Sequence, residues 1–269
     1  MAETAGTFSD LNYLDYLSTK ESSIHRLDPR AKLFVVAVFI ACVVSFHKYT
    51  VSALIPYCFF PAVMIALAGI PLRYLLKKYL LLLPFAVLIG IFNPLFDQTP
   101  LLDLGRVSIS GGWISFTSII IRFTLTVFAA FILIAVTGFN GICAALERFR
   151  VPAIFGVQLM MLYRYIFVLS GEATRMTRAR DLRAAGNRKM KSRVYGSLVG
   201  HLLLRTWDRA QRVHMAMLAR GFNGDFYVRR PLTMKASDFT FIIVWCVLFL
   251  LFRFVNLPVM AGQLILGAN

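Results

Sequence analysis

The chain has 269 residues, of which 58% are hydrophobic and 16% charged, with a formal net charge of +16 and a mean hydropathy of +0.70. Soluble domains are about half apolar and about a quarter charged, so this composition excludes an ordinary soluble globule and fits an integral membrane protein. Lys and Arg gather between Phe139 and Lys235, the pattern of loops facing an anionic cytoplasmic leaflet. No nucleic-acid-binding motif accompanies them, and no nucleic-acid partner is expected.

The first stretch, Met1 to Lys32, is polar and carries both signs of charge. It lacks the apolar core of a signal peptide, and no cleavage is expected. Hydrophobic runs follow at Leu33 to Phe46, Val51 to Ile70, Leu80 to Phe96, Trp113 to Gly138 and Phe239 to Val255. A transmembrane helix needs about twenty residues, fewer if its flanks snorkel. The first two runs, separated by His47-Lys48-Tyr49-Thr50, read as a tight helical hairpin. Asn93-Pro94 near the end of the third is a hinge or a helix end, because proline removes a backbone donor and restrains its predecessor. Cys42, Cys58, Cys143 and Cys246 are isolated, and read as small buried hydrophobes rather than disulfides or a metal cage.

A sixth run, Ile154 to Leu169, is apolar enough to be another span, and charge argues against it. With a cytoplasmic N-terminus, suggested by His25-Arg26 and by Arg30 to Lys32, four spans return the chain to the cytoplasm at Gly138. A span at Ile154 would then export Glu172 to Lys235 with its fifteen Lys and Arg, against the positive-inside tendency. With five spans the outer side receives only Lys48, Arg106 in the Asp97 to Gly112 loop, and the uncharged tail after Asn256.

The segment Phe139 to Ser237 thereby becomes a cytoplasmic helical module. Proline suits a first turn, so Pro152 opens a helix running to about Ala185, ended by Gly186-Asn187-Arg188-Lys189. A second runs from about Arg193 to Ala219. Tyr195, Leu198, Val199, Leu202 and Leu203 form its apolar stripe, Asp208 stands at pairing distance from Arg212, and Gly221 and Gly224 stop it. Near the two helix ends the spacing Ala-x-x-x-Arg-small recurs, as Ala179 to Ala184 and Ala216 to Gly221. Residues four apart share a helix face. A small residue beside a long cation lets another backbone approach while the guanidinium reaches a carboxylate or carbonyl. The plainer reading is two solvated arginine turns ending two amphipathic helices.

Other residues suggest less. Arg122, inside the fourth run, contacts another membrane subunit or an internal carboxylate or, the reading favoured, is a cation snorkelling past Trp113 and Ser115. Arg164 reads as a structural hydrogen-bonding residue. His25, His47, His201 and His214 lack ligand spacing, and Asp97 and Asp103 read as solvated loop residues, so no metal site, catalytic residue or cofactor is expected. No G-x-x-x-x-G-K-[ST] occurs.

Taken together, these residues resemble the transmembrane T components of energy-coupling factor (ECF) transporters, and among them the cobalt-type CbiQ family. The resemblance covers nearly the whole chain. It is carried by Ser22 to Lys32, by Asn93-Pro94-Leu95-Phe96, by Leu146 to Pro152 with Tyr163-Arg164-Tyr165, and by Ala216 to Phe222. The first arginine motif departs from the family pattern, since Ala184 stands where glycine is frequent, and leaves Arg180 and Arg183 both open as its anchor.

The resemblance implies an all-α integral membrane protein with about five transmembrane helices and a cytoplasmic module of long crossed coupling helices. Residues 1-32 would form a cytoplasmic segment, 33-138 four spans, 139-237 the coupling module and 238-269 the last span and tail. It implies a non-catalytic subunit in a prokaryotic inner membrane. Its partners would be two cytoplasmic P-loop ATPases and a small membrane subunit that binds cobalt or nickel. Ala179, Arg180, Arg183, Ala184, Ala216, Arg220 and Gly221 would dock the ATPases. Two other classes compete: a self-sufficient secondary carrier, which needs midplane ionisable groups, and a membrane enzyme acting on a lipid-linked phosphate, which needs clustered carboxylates or a base.

Overall fold

A computed structural model describes residues 17–18, 22–96, 100–103, 108–149, 151–184, 192–222 and 234–255. The chain divides into two compact units, one built from Cys143–Pro231 and the other from Tyr13–Ile142 with Leu232–Asn269.

In the larger unit, helix α1 spans Pro29–Val44. Its start follows from Asp28-Pro29: the Asp28 carboxylate accepts from the Arg30 N–H at 2.8 Å and proline occupies the first turn, where a missing N–H costs nothing. A 3-10 helix, Ser52–Cys58, leads into α2, Phe59–Ala68. Helix α3 spans Leu72–Gly90 and the short α4 spans Phe92–Phe96, so Asn93-Pro94 lies inside a separate helical turn. The loop beyond holds a small antiparallel pair, β1 Pro100–Asp103 and β2 Ser108–Ser110, in which Leu102 faces Ile109. Sequence periodicity had not suggested this hairpin. Helix α5, Gly111–Arg148, is broken at Gly138, whose φ of 68° is a conformation glycine adopts without a side-chain penalty. The last described helix of this unit, α8, spans Ala236–Phe254.

The core of this unit is aromatic. Phe39 of α1, Tyr57, Phe60 of α2 and Phe249 of α8 are all essentially inaccessible. Phe39 and Phe60 have ring centroids 4.6 Å apart, and Phe60 meets Trp245 edge-on at 4.8 Å. Such pairs contribute about 0.5–1.5 kcal/mol each beyond their area. Tyr57 has its hydroxyl in the same place, donating to the Phe249 carbonyl at 3.0 Å.

Beneath the aromatic core lies a polar knot. The backbone N–H of Asp28 donates to Asp238 Oδ1 at 2.9 Å, and the N–H of Lys235 donates to Asp238 Oδ2 at 2.7 Å. Lys32, buried beside them, donates from Nζ to the carbonyls of His25 and Val136, each at 3.3 Å. Burial pushes its pKa down to about 8, with Asp28 and Asp238 opposing the shift. His25 is held between Ser22 Oγ at 2.7 Å and the Leu17 carbonyl at 3.1 Å, which makes it a structural histidine.

Among the described residues, four helices are long and apolar enough to cross a membrane: Leu72–Leu95, Gly111–Arg148, Ile154–Arg183 and Ala236–Phe254. Three overlap expected spans. The first two expected spans are shorter helices here, α1 with 16 residues and the interrupted stretch Ser52–Ala68. Ile154–Arg183 is itself long and apolar enough to span, so the expectation that it lies outside the bilayer rests on charge alone. All four cysteines are free.

Candidate docking surface on a helical pair

The second unit is built on two long helices, α6 at Ala153–Arg183 and α7 at Ser192–Ala219. Pro152 is the N-cap of α6, one residue before the helix. The two helices run in opposite directions: the first half of α6 faces the second half of α7 across one cleft, and the remaining halves face each other across another. They are clasped near their midpoints by Glu172. Its carboxylate, on a side chain 13% exposed, accepts from Arg205 at 3.2 Å and lies 3.5 Å from Arg209. The i+4 pair expected within α7, Asp208 with Arg212, is not formed among the described residues; the ion pairs cross between helices instead.

One cleft, of about 780 Å³, is lined by Arg175, Ala179, Arg180, Arg183, Ala184 and Arg205, with His201 as its other ionisable group. No carboxylate lines it among the described residues. All four named residues of the first arginine motif therefore share one cationic wall. The opposite cleft, of about 540 Å³, is apolar, with Met161, Leu169, Val213, Met217 and Phe222 in its lining. Helix α7 has no buried residue; Tyr195, Val199, Leu203 and Trp207, one per turn, are all exposed.

The two arginine motifs end their helices differently. At the second, the N–H of Gly221 donates to the Leu218 carbonyl at 2.9 Å and that of Phe222 to the Met217 carbonyl at 3.0 Å. This is the Schellman pattern, and it requires the left-handed φ of 79° found at Gly221. Arg220 is thereby the cap residue, exposed, with Ala216 exposed one turn before it. At the first, Ala184 sits at φ −82° and ψ 5°, its N–H donating to the Arg180 and Asp181 carbonyls. That conformation suits alanine, which accounts for the absence of glycine there.

The geometry also separates the two candidate anchors. Arg180 donates to the Asp181 carboxylate at 2.8 Å and is largely covered. Arg183 and Arg220 are exposed, and among the described residues neither side chain has a hydrogen-bond or ion-pair partner. Each stands eleven or more residues from the Glu172 clasp, roughly 16 Å along its helix at 1.5 Å per residue. Each helix of the pair therefore carries a free guanidinium at its C-terminal end, and the two ends are opposite. Arg164 is exposed and makes no hydrogen bond among the described residues, so the structural role expected for it is not found. No group of three His, Cys, Asp or Glu able to hold a metal ion occurs among the described residues.

Apolar helices long enough to span a bilayer, together with a separate pair of long basic helices, define a multi-pass α-helical membrane protein. A family model described as a cobalt transport protein, CbiQ, matches residues 20–232, and the chain belongs to that family, the T components of ECF transporters. An energy-coupling factor transporter transmembrane protein EcfT of Streptococcus equi subsp. equi is 27% identical, over 76% of this chain and 80% of the relative. The cobalt transport protein CbiQ of Rhodobacter capsulatus is 34% identical over a shorter stretch, 32% of this chain and 35% of the relative. An uncharacterized protein of Methanocaldococcus jannaschii is 27% identical over 82% of this chain and 78% of its own length.

Proposed function

We propose that this chain is the energy-coupling subunit of an ECF-type importer, transmitting ATP hydrolysis by two cytoplasmic P-loop ATPases to a small membrane subunit that binds the cargo. Cobalt is the cargo favoured by the family description, with nickel next. The observation that carries the reading is the pair of exposed, unpartnered guanidiniums, Arg183 and Arg220, at opposite ends of two helices clasped at their middle. A helix end with small neighbours and a free arginine suits a groove on a partner protein. Two such ends suit two ATPase grooves.

In this reading the N-terminus and residues 139–237 are cytoplasmic, the membrane is the prokaryotic inner membrane, and the spans number five. When nucleotide closes the ATPases, their grooves move together and the clasped helices act as levers on the substrate-binding subunit. Glu172 sets the fulcrum. The test is uptake of radioactive cobalt and nickel by cells expressing the complete transporter. Arg183→Ala/Arg220→Ala abolishes uptake with the chain still in the membrane; unchanged uptake in that variant refutes the docking role.

A further inference from the structure

The other end of the larger unit holds two cations that the transport reading does not use. The turn after α1 passes through Ser45, Phe46, His47 and Lys48, and arginines from two other helices grip it. Arg122 of α5 donates from Nη2 to the His47 carbonyl. Arg253, in the last turn of α8, donates from Nη2 to the Ser45 carbonyl and to Ser45 Oγ, each at 3.2 Å, and its guanidinium stacks 4.2 Å above the Phe46 ring. Arg253 thereby caps the carbonyl at the C-cap of α1, where a cation is favoured, while the His47 carbonyl, which Arg122 reaches, also accepts from the Thr50 N–H and hydroxyl.

Capping uses only part of each guanidinium, which carries five donors. The Arg122 Nε and Arg253 Nη1 groups are buried without a hydrogen-bond partner among the described residues, the Nη2 edges that grip the turn lie on its exposed side, and no carboxylate there pairs with either arginine. Lys48, stacked at 4.6 Å on Tyr49, adds a third cation to the same turn. The charges of Arg122 and Arg253, matched by no carboxylate among the described residues, are costly at the edge of a bilayer unless they meet an anion. The local helix length brings one within reach. Helix α1 has 16 residues and rises about 24 Å against a hydrocarbon core of about 30 Å, so the polar headgroups are drawn towards this turn.

We infer that Arg122 and Arg253, over the Ser45 to Lys48 turn, form a binding site for a phosphate oxyanion, carried by a membrane lipid headgroup or free in solution. Guanidinium forks match phosphate oxygens, and the stack on Phe46 holds one fork in place. The site would anchor the end of the short hairpin to the membrane surface.

Native mass spectrometry of the full chain, extracted in mild detergent, counts the phospholipid retained per chain in wild type, Arg122→Gln, Arg253→Gln and the double variant. Glutamine still offers an amide donor to the turn carbonyls but no charge. In a second arm, delipidated protein is heated with and without inorganic phosphate. Wild type is expected to retain one phospholipid, with retention falling about tenfold in each single variant, the weight of one strong charged hydrogen bond. Stabilisation by inorganic phosphate without lipid retention, lost in the double variant, assigns the same site to a soluble anion. Equal behaviour of wild type and double variant in both arms overturns the inference, as does a wild type that binds neither. Should the double variant lose its monodisperse peak, wild type in discs of phosphatidylglycerol mixed with a phosphate-free glycolipid of the same acyl chains decides. About tenfold preferential retention of the phospholipid supports the site, and equal retention overturns it.

Discussion

Replacing Gly221 by alanine isolates the backbone geometry that presents Arg220. A Cβ at Gly221 would meet nothing within 4 Å, so the substitution creates no clash; its whole cost lies in the φ of 79°. For an L-residue the left-handed conformation costs about 1–2 kcal/mol, which corresponds to roughly a 5- to 30-fold change in a local opening equilibrium. The bonds at stake are the two that close the helix, from the N–H groups of Gly221 and Phe222. Hydrogen exchange of the full chain in detergent, read on peptides covering Met217 to Phe222, should show faster exchange of those amides by that factor. The clasp region around Glu172 should stay unchanged. Gly221→Asn should recover most of the protection, because asparagine tolerates the left-handed region better than alanine does. Capture of the partner ATPases should fall in the alanine variant and return with asparagine. Alanine protected as well as glycine, or asparagine no better than alanine, would refute the Schellman account of this motif.

Glu172→Gln should lower the thermal stability of the helical pair by about 1 kcal/mol in total, since Arg205 is 62% and Arg209 36% exposed and solvent screens both pairs. A double-mutant cycle with Arg205→Ala measures the coupling, and a value near zero would mean that the clasp rests on packing alone. Arg183→Ala should weaken ATPase capture far more than Arg180→Ala, because Arg180 is already engaged with Asp181; equal losses in a quantitative pull-down would contradict that ranking. Burial holds the Lys32 pKa at about 8 in the folded chain against 10.5 for an ordinary lysine, so between those pH values the unfolded chain binds more protons and this group's contribution to stability rises with pH. The melting temperature of wild type should therefore gain on that of Lys32→Met as pH goes from 8 towards 10.5, and a flat difference would count against a buried lysine.

Local signals carried much of the fold. Asp28-Pro29 announces the start of α1 because a cap and a proline act within one turn, and Gly221 announces the end of α7 because only its backbone fits the closing bonds there. The two arginine motifs were legible as helix-end faces for the same reason. What sequence left hidden depends on partners distant along the chain. Glu172 meets Arg205, 33 residues on, whereas periodicity within α7 pointed to Asp208 with Arg212. The choice between Arg180 and Arg183 turns on the pairing of Arg180 with Asp181, adjacent residues whose contact depends on side-chain rotamers. Arg122 was legible as a membrane cation near an interface, but its acceptor, the His47 carbonyl, lies 75 residues away. The sixth apolar run shows the limit of hydropathy: Ile154–Arg183 is long and apolar enough to span, and only the charges that follow it favour the cytoplasm.

The central claim is that free arginines at two helix ends hold two ATPases. It is tested most directly by purifying the tagged full chain from its own membrane and identifying what accompanies it. The account predicts P-loop ATPases and a small membrane subunit with wild type, and loss of the ATPases with the Arg183→Ala/Arg220→Ala variant while the chain stays monodisperse and keeps the small subunit. Recovery of the wild-type chain alone, or full retention of the ATPases by the double variant, would contradict it.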